Sequence, residues 1–300
     1  MRIRGAPLIG VAAAYALSLT TYHSKAKTKK ELIEEIEESA SLLKKTRPTA
    51  VNLFWAVDRI MRKARETTGT ANTVAKAVVE EANKMADEDV DTNRKMGERG
   101  SALLNDGDVI LTHCNAGSLA TVDYGTALGV IRVAWEQDKK VSVIATETRP
   151  KLQGARLTAY ELQRDGIPVT LITDGNVGYV MQKRVVNKVI VGADRIVRDA
   201  VINKIGTFGI AVLAHEHKIP FYVAAPTSTF DLAHSASEVV IEERNPEEVT
   251  YFGTQKIAPN GVKVLNPAFD ITPMRYVTAI ICETGVLSPK DLERYAKWKT

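Results

Sequence analysis

Cysteine is scarce in this chain: Cys114 and Cys282 are the only two among 300 residues. That excludes a disulfide-stapled secreted fold and fits a reducing, cytoplasmic compartment. A chain of this length buries enough surface to fold without staples. Long apolar runs are also missing. No continuous apolar stretch of about 18 residues free of charge occurs, which argues against a membrane-spanning helix. Met1 to Pro7 lacks the apolar core of a signal peptide. Neither sign of charge dominates, with 40 Lys and Arg against 36 Asp and Glu, a net +4. This balance gives no footing for nucleic acid and suits a small anionic substrate. The five histidines show no zinc-ligand spacing. His215 and His217 lie two apart and cannot share a helical face. The Walker loop and Gly-x-Gly-x-x-Gly are both absent, so neither a nucleoside triphosphate nor a dinucleotide is indicated.

What remains is ordinary globular composition, 45% hydrophobic and 25% charged. The first hundred residues read as helices. Ile9 to Leu19 is Ala-rich and apolar. Thr28-Lys29-Lys30-Glu31 is a capping box, and Leu32, Ile33, Ile36, Ala40 and Leu43 follow at helical spacing. Pro48 opens a further helical segment, and Val74–Met85 and Asp91–Leu104 give two more. After the turn cluster Asn105-Asp106-Gly107-Asp108 the texture changes. Short apolar runs at Val109–Leu111, Val141–Ala145, Val169–Ile172, Val189–Val191, Phe221–Ala225 and Val239–Ile241 alternate with helical stretches near 119–137, 153–164, 177–184 and 204–217. That alternation predicts an α/β fold: a helical N-terminal domain, residues 1–105, then a Rossmann-like parallel-sheet domain, residues 106–300.

Chemistry-bearing residues cluster where the strands end. Thr112-His113-Cys114-Asn115-Ala116-Gly117-Ser118 follows the first run, and Gly192-Ala193-Asp194-Arg195 follows the fourth. Ligands of open parallel sheets bind outside the carboxyl ends of the strands. A thiol and a carboxylate are thus delivered to one sheet edge, the minimum set for proton transfer. A strand-end cysteine is most often inert, but the Asn-Ala-Gly-Ser turn sets Cys114 at the mouth of the sheet. Asp194 also reads as a helix cap. Glu147 and Arg149 read equally as a mutual ion pair or as ligands, Cys282 as core, and His113 and His234 as uninformative.

Taken together, these strings resemble the methylthioribose-1-phosphate isomerase family. The resemblance runs through Arg4-Gly5-Ala6-Pro7, Arg47-Pro48-Thr49-Ala50-Val51-Asn52, Thr112 to Gly117 and Glu147-Thr148-Arg149-Pro150. It continues through Leu152 to Ala159, Gly192 to Ile196, Asn203-Lys204-Ile205-Gly206-Thr207 and Pro220 to Pro226. It implies an aldose–ketose isomerase of methionine salvage that works as a homodimer without metal or organic cofactor. It also implies that Cys114 and Asp194 are the catalytic pair. Arg4, Gly5, Ala6, Arg47, Gln153, Asn203 and Lys204 would bind the sugar phosphate, the three cations suiting its phosphate. Family members carry a further N-terminal segment over the site. Two relatives share the fold: ribose-1,5-bisphosphate isomerase, with the same pair, and the regulatory subunits of the translation-initiation exchange factor, without the chemistry. The 152–159 string favours the methylthioribose enzyme over the first, and retention of Cys114 and Asp194 argues against the second.

Overall fold

The computed structural model describes residues 3–47 and 50–292. Pro48 and Thr49 of the second shared motif, and the expectation that Pro48 opens a helical segment, lie outside them. The N-terminal helices are α1 (Ala6–His23), α2 (Lys29–Thr46), α3 (Val51–Glu66) and α4 (Ala71–Ser101). The Thr28 capping box forms as the sequence predicts, its hydroxyl accepting from the Glu31 N–H while the Glu31 carboxylate accepts from the Thr28 N–H. Leu17, Leu32, Ile36, Leu53, Ile60, Val74, Val78 and Met85 bury one shared core among these four helices. The two segments expected at 74–85 and 91–104 are one 31-residue helix. Nothing in Ala86-Asp87-Glu88-Asp89-Val90 breaks a helix.

The sheet strands are β1 (Val109–Thr112), β2 (Ser142–Thr146), β3 (Val169–Ile172) and β4 (Lys188–Val191), followed by the short β5 (Arg195–Ile196) and β6 (Ala200–Lys204). Then come β7 (Phe221–Ala224), the hairpin β8 (Tyr251–Phe252) and β9 (Gln255–Lys256), β10 (Phe269–Pro273), β11 (Ala279–Cys282) and β12 (Gly285–Leu287). Among the described residues the main sheet has seven strands in the order β12-β11-β7-β4-β1-β2-β3. All neighbours are parallel except β12 against β11. β4, β7 and β11 are buried throughout, so they read as continuous apolar runs. Helices α5 (Ala127–Glu136), α6 (Ala159–Arg164), α7 (Val177–Gln182) and α8 (Thr207–Glu216) cover the sheet. From β1 the chain builds outward through β2 and β3, then returns to β4 and builds the other way. The order therefore reverses between β1 and β4, which pair directly. That is the crevice where a doubly wound sheet takes its ligand.

Three further expectations change. The run Val239–Ile241 is not a strand. The sheet position beyond β7 belongs to β11, so the run has no ladder to join, and Val239 and Ile241 instead pack on Val197, Ile202 and Phe269. The helix expected over 119–137 starts at Ala127. The Thr121 hydroxyl donates to the Asp123 carbonyl, and the Asp123 carboxylate accepts from the Tyr124 N–H. Such local bonds compete with helix. Lys204 does not open a helix; it ends the buried strand β6, which pairs with β10.

Candidate active site

Cys114 follows β1 in a left-handed backbone conformation, φ 65°. A non-glycine residue there costs about 1–3 kcal/mol and needs surroundings that hold it. They do. The Cys114 N–H donates to Thr148 Oγ1 at 2.9 Å, and its carbonyl accepts from Thr158 Oγ1 at 2.6 Å. Thr148, itself at φ 64°, has its N–H held at 2.8 Å by the Asp174 carboxylate, which also takes the Arg149 N–H at 2.7 Å. The thiol is buried.

His113 proves central to the site rather than uninformative. Its ring is buried, with Nε2 2.8 Å from the Ile205 carbonyl and Nδ1 2.6 Å from Thr146 Oγ1. A carbonyl only accepts, so Nε2 carries the proton and Nδ1 accepts from the threonine hydroxyl. Burial lowers the pKa of His113 and keeps the ring neutral. The imidazole thereby ties the end of β1 to the segment that follows Lys204.

Asp194 follows β4, and its N–H donates to the Ile202 carbonyl at 2.9 Å, fixing the β4–β5 turn. It caps no helix, because β5 comes next. Its carboxylate accepts no hydrogen bond from the described residues. Burial pushes its pKa up, while Lys204, Arg4, Arg47 and Arg244 pull the other way without cancelling the effect. Asp194 is half-buried and Lys204 buried. The lysine donates to the Ala268 carbonyl at 2.7 Å and stands 4.5 Å from the Phe269 ring centroid. Burial lowers its pKa against the opposing pull of Cys114 and Asp194.

His113, Cys114 and Asp194 line one cleft, and Lys204 lies behind its wall. A cavity of about 40 Å³ is bounded by Arg4, Gly5, Ala6, Cys114, Asp194 and Asn203. A second lobe of about 30 Å³ shares Ala6 and Asp194 and adds Arg47, Ile202 and Ile241. A larger surface groove, about 920 Å³ between α2 and α3, contains none of the candidate catalytic or substrate-binding residues. Gly5 stands at φ 100°, and a Cβ there would lie 2.3 Å from the Ala120 carbonyl oxygen. Only glycine lets the chain turn into α1 against that loop. Helix α1 begins without a side-chain cap, so its first N–H groups are left to the cleft.

Arg47 ends α2 rather than starting α3. Its Nε is 3.6 Å from Glu242, which also stands 3.2 Å from Arg244. Gln153 lines neither lobe. It is half-buried before the helical turn at Gly154, with an Oε1 that has no partner. Glu147 and Arg149 form no pair; the Arg149 guanidinium donates to the Pro150 and Val249 carbonyls. Sequence reasoning missed Arg244 and Glu242, which sit in an irregular stretch with no local signal.

Known proteins resemble the whole chain. The Initiation factor 2 subunit family matches residues 2–289. A methylthioribose-1-phosphate isomerase of Desulforamulus reducens is 54% identical over 300 residues, covering 99% of this chain and 87% of the relative. The crystal structure of 5-methylthioribose 1-phosphate isomerase from Pyrococcus horikoshii superposes with a TM-score of 0.90 at 48% identity, covering 99% of this chain and 85% of that one. The structure of translation initiation factor eIF-2B, subunit delta, from A. fulgidus reaches a TM-score of 0.86 at 55% identity, over 98% of this chain and 86% of that one.

Proposed function

The chain belongs to the Initiation factor 2 subunit family, and from that premise we propose that it is an aldose–ketose isomerase converting 5-methylthioribose 1-phosphate to 5-methylthioribulose 1-phosphate. One observation carries this reading beyond the names of its relatives: a carboxyl group with a raised pKa and no hydrogen-bond donor shares a cleft with a buried thiol, inside a ring of cations. A protonated carboxyl is what the reaction needs at neutral pH. The substrate is a furanose whose anomeric oxygen carries phosphate, which blocks spontaneous ring opening.

In this reading Asp194 donates its proton to the ring oxygen as the C1–O bond breaks. A hydrogen then passes from C2 to C1, and the C2 hydroxyl gives its proton to the Asp194 carboxylate as the ketone forms, which restores the acid. Either Cys114 takes the C2 proton to give an enolate that is reprotonated at C1, or the hydrogen moves as hydride. Both routes conserve atoms and electrons within the substrate. Arg4, Arg47 and Lys204, with the N–H groups of Gly5 and Ala6, bind the phosphate, and Asn203 and Gln153 contact the sugar. A bound dianion offsets the cations that hold the Asp194 pKa down, so the acid strengthens its hold on the proton once substrate is in place. The unit boundary near Asn105, a homodimeric assembly and a cytoplasmic place in methionine salvage belong to the same proposal.

The test is turnover of 5-methylthioribose 1-phosphate by EDTA-treated protein. Turnover of ribose 1,5-bisphosphate instead moves the assignment to that isomerase. A second reading, a regulatory subunit of the initiation exchange factor, draws on the A. fulgidus structure named above. It requires that neither sugar phosphate turns over and that the chain binds a translation factor specifically.

A further inference from the structure

Arg4 reaches the cleft by gripping Asn115. Its Nη1 donates to Asn115 Oδ1 at 2.5 Å, and its Nη2 donates to the Asn115 carbonyl at 3.0 Å. The remaining guanidinium N–H groups are left for a ligand. This grip works only if the amide of Asn115 presents its oxygen to Arg4. Turned over, it would set an NH2 donor against a guanidinium donor.

Glu161 decides which way the amide faces. It lies in the first turn of α6, 3% exposed. Its Oε1 accepts from Asn115 Nδ2 at 2.8 Å and from the Leu119 N–H at 3.3 Å. Its Oε2 accepts from the Ser118 N–H and Oγ, both at 2.8 Å, and from Arg132 Nη2 at 2.7 Å. Thr158 Oγ1 lies 3.2 Å from the same Asn115 nitrogen. The carboxylate thus holds the amide nitrogen, and the oxygen must face the other way, toward Arg4. The loop comes so close that a Cβ on Gly117 would stand 2.3 Å from Glu161 Oε2. Burial works to raise the pKa of Glu161, but Arg132, Asn115 and Ser118 outweigh it and keep the group ionised.

We infer that Glu161 is a positioning residue: through Asn115 it orients Arg4 for the substrate phosphate without touching substrate itself. The inference rests on the reading of Arg4 as a phosphate contact. A residue that only held the loop would disturb Cys114, one residue before Asn115, and would lower kcat. A residue that orients Arg4 raises KM.

The test compares Glu161→Gln, Asn115→Ala, Arg4→Met and the doubles Arg4→Met/Glu161→Gln and Arg4→Met/Asn115→Ala in the full chain. Asn115→Ala leaves every other bond of Glu161 in place, so it serves if Glu161→Gln folds poorly. Each single variant is expected to raise KM for 5-methylthioribose 1-phosphate by about tenfold, the value of a charge-assisted hydrogen bond, with kcat within about twofold. In the Arg4→Met background neither second change should add to KM. The same order should appear without turnover, in the concentration of inorganic phosphate that half-saturates a thermal shift. KM changes that multiply with Arg4→Met, or a fall in kcat at unchanged KM, would overturn the relay. An unchanged KM in Arg4→Met alone would instead remove Arg4 from the phosphate site.

Discussion

Asp194→Asn separates chemistry from folding more sharply than any other single change here. Asparagine keeps the size and planar shape of the side chain and removes only the proton it would donate. Loss of a positioned acid lowers kcat by about 10²–10⁴, equivalent to roughly 3–5 kcal/mol of transition-state stabilisation. Folding should not suffer, because the carboxylate accepts no hydrogen bond from the described residues and leaves no orphaned donor behind. It should gain. Burial raises the folded-state pKa of Asp194 above its ordinary value. Between the unfolded and folded values the native protein binds the extra proton, so stability from this group is present in acid and is lost as pH rises through the folded value. Asparagine cannot ionise and escapes that loss. The melting temperature of the variant, compared with the parent, should therefore be lowest in acid and climb above the pH of ordinary aspartate titration, about pH 4. Calorimetry from pH 4 to pH 9, run beside steady-state kinetics, reads both effects. In the parent, the alkaline fall of kcat should lie at higher pH than that of kcat/KM, because bound phosphate offsets the surrounding cations. A near-native kcat in Asp194→Asn, or a melting temperature that drops against the parent as pH rises, would refute the reasoning.

Cys114→Ser should lower kcat by about 10²–10⁴ with its melting temperature unchanged, since serine fits the same Thr148 and Thr158 bonds to the backbone. Deuterium at C2 of the substrate that washes into solvent, followed by NMR, would mark the enolate route. Arg47→Met and Lys204→Met should each raise KM by the equivalent of roughly 2–4 kcal/mol, and unchanged KM values would take both out of the phosphate site. Asp89, pushed up to about 6 by burial against the opposing bonds from Val122 and Asn93, should weaken the fold as pH rises from about 4 to 6. Asp89→Asn should gain melting temperature relative to the parent across that window and hold a constant offset above it.

The parallel sheet is legible in the sequence because its inner strands β1, β2, β4 and β7 are almost wholly buried and stand out as apolar runs between helical stretches. Legibility fails where structure depends on a partner far away in the chain. Val239-Val240-Ile241 has strand composition, but β11 already fills the next sheet position. Conversely, Ala200–Lys204 is a fully buried strand with Asn and Lys inside it. Those polar residues hide the strand from any local pattern, and its full length pairs only with β10, more than sixty residues on, while the short β5 covers two of its residues. Reading Lys204 as the start of a helix follows directly, since α8 does begin three residues later.

The same division runs through the site. Cys114 and Asp194 could be found because each directly follows an apolar strand, and the sheet brings those two strands side by side. Their supports could not. His113 matters through a carbonyl 92 residues away. Asn115 matters through Arg4, 111 residues before it. Glu161, in Tyr160-Glu161-Leu162-Gln163-Arg164, reads locally as one solvated carboxylate on a helix. Only the packing of α6 under the Cys114 loop takes it out of water. A carboxylate buried there without partners would cost several kcal/mol, so Asn115, Ser118 and Arg132 must converge on it for the fold to stand. That requirement ties stability to geometry: the bonds that offset the burial of Glu161 are the bonds that aim Arg4 into the cleft.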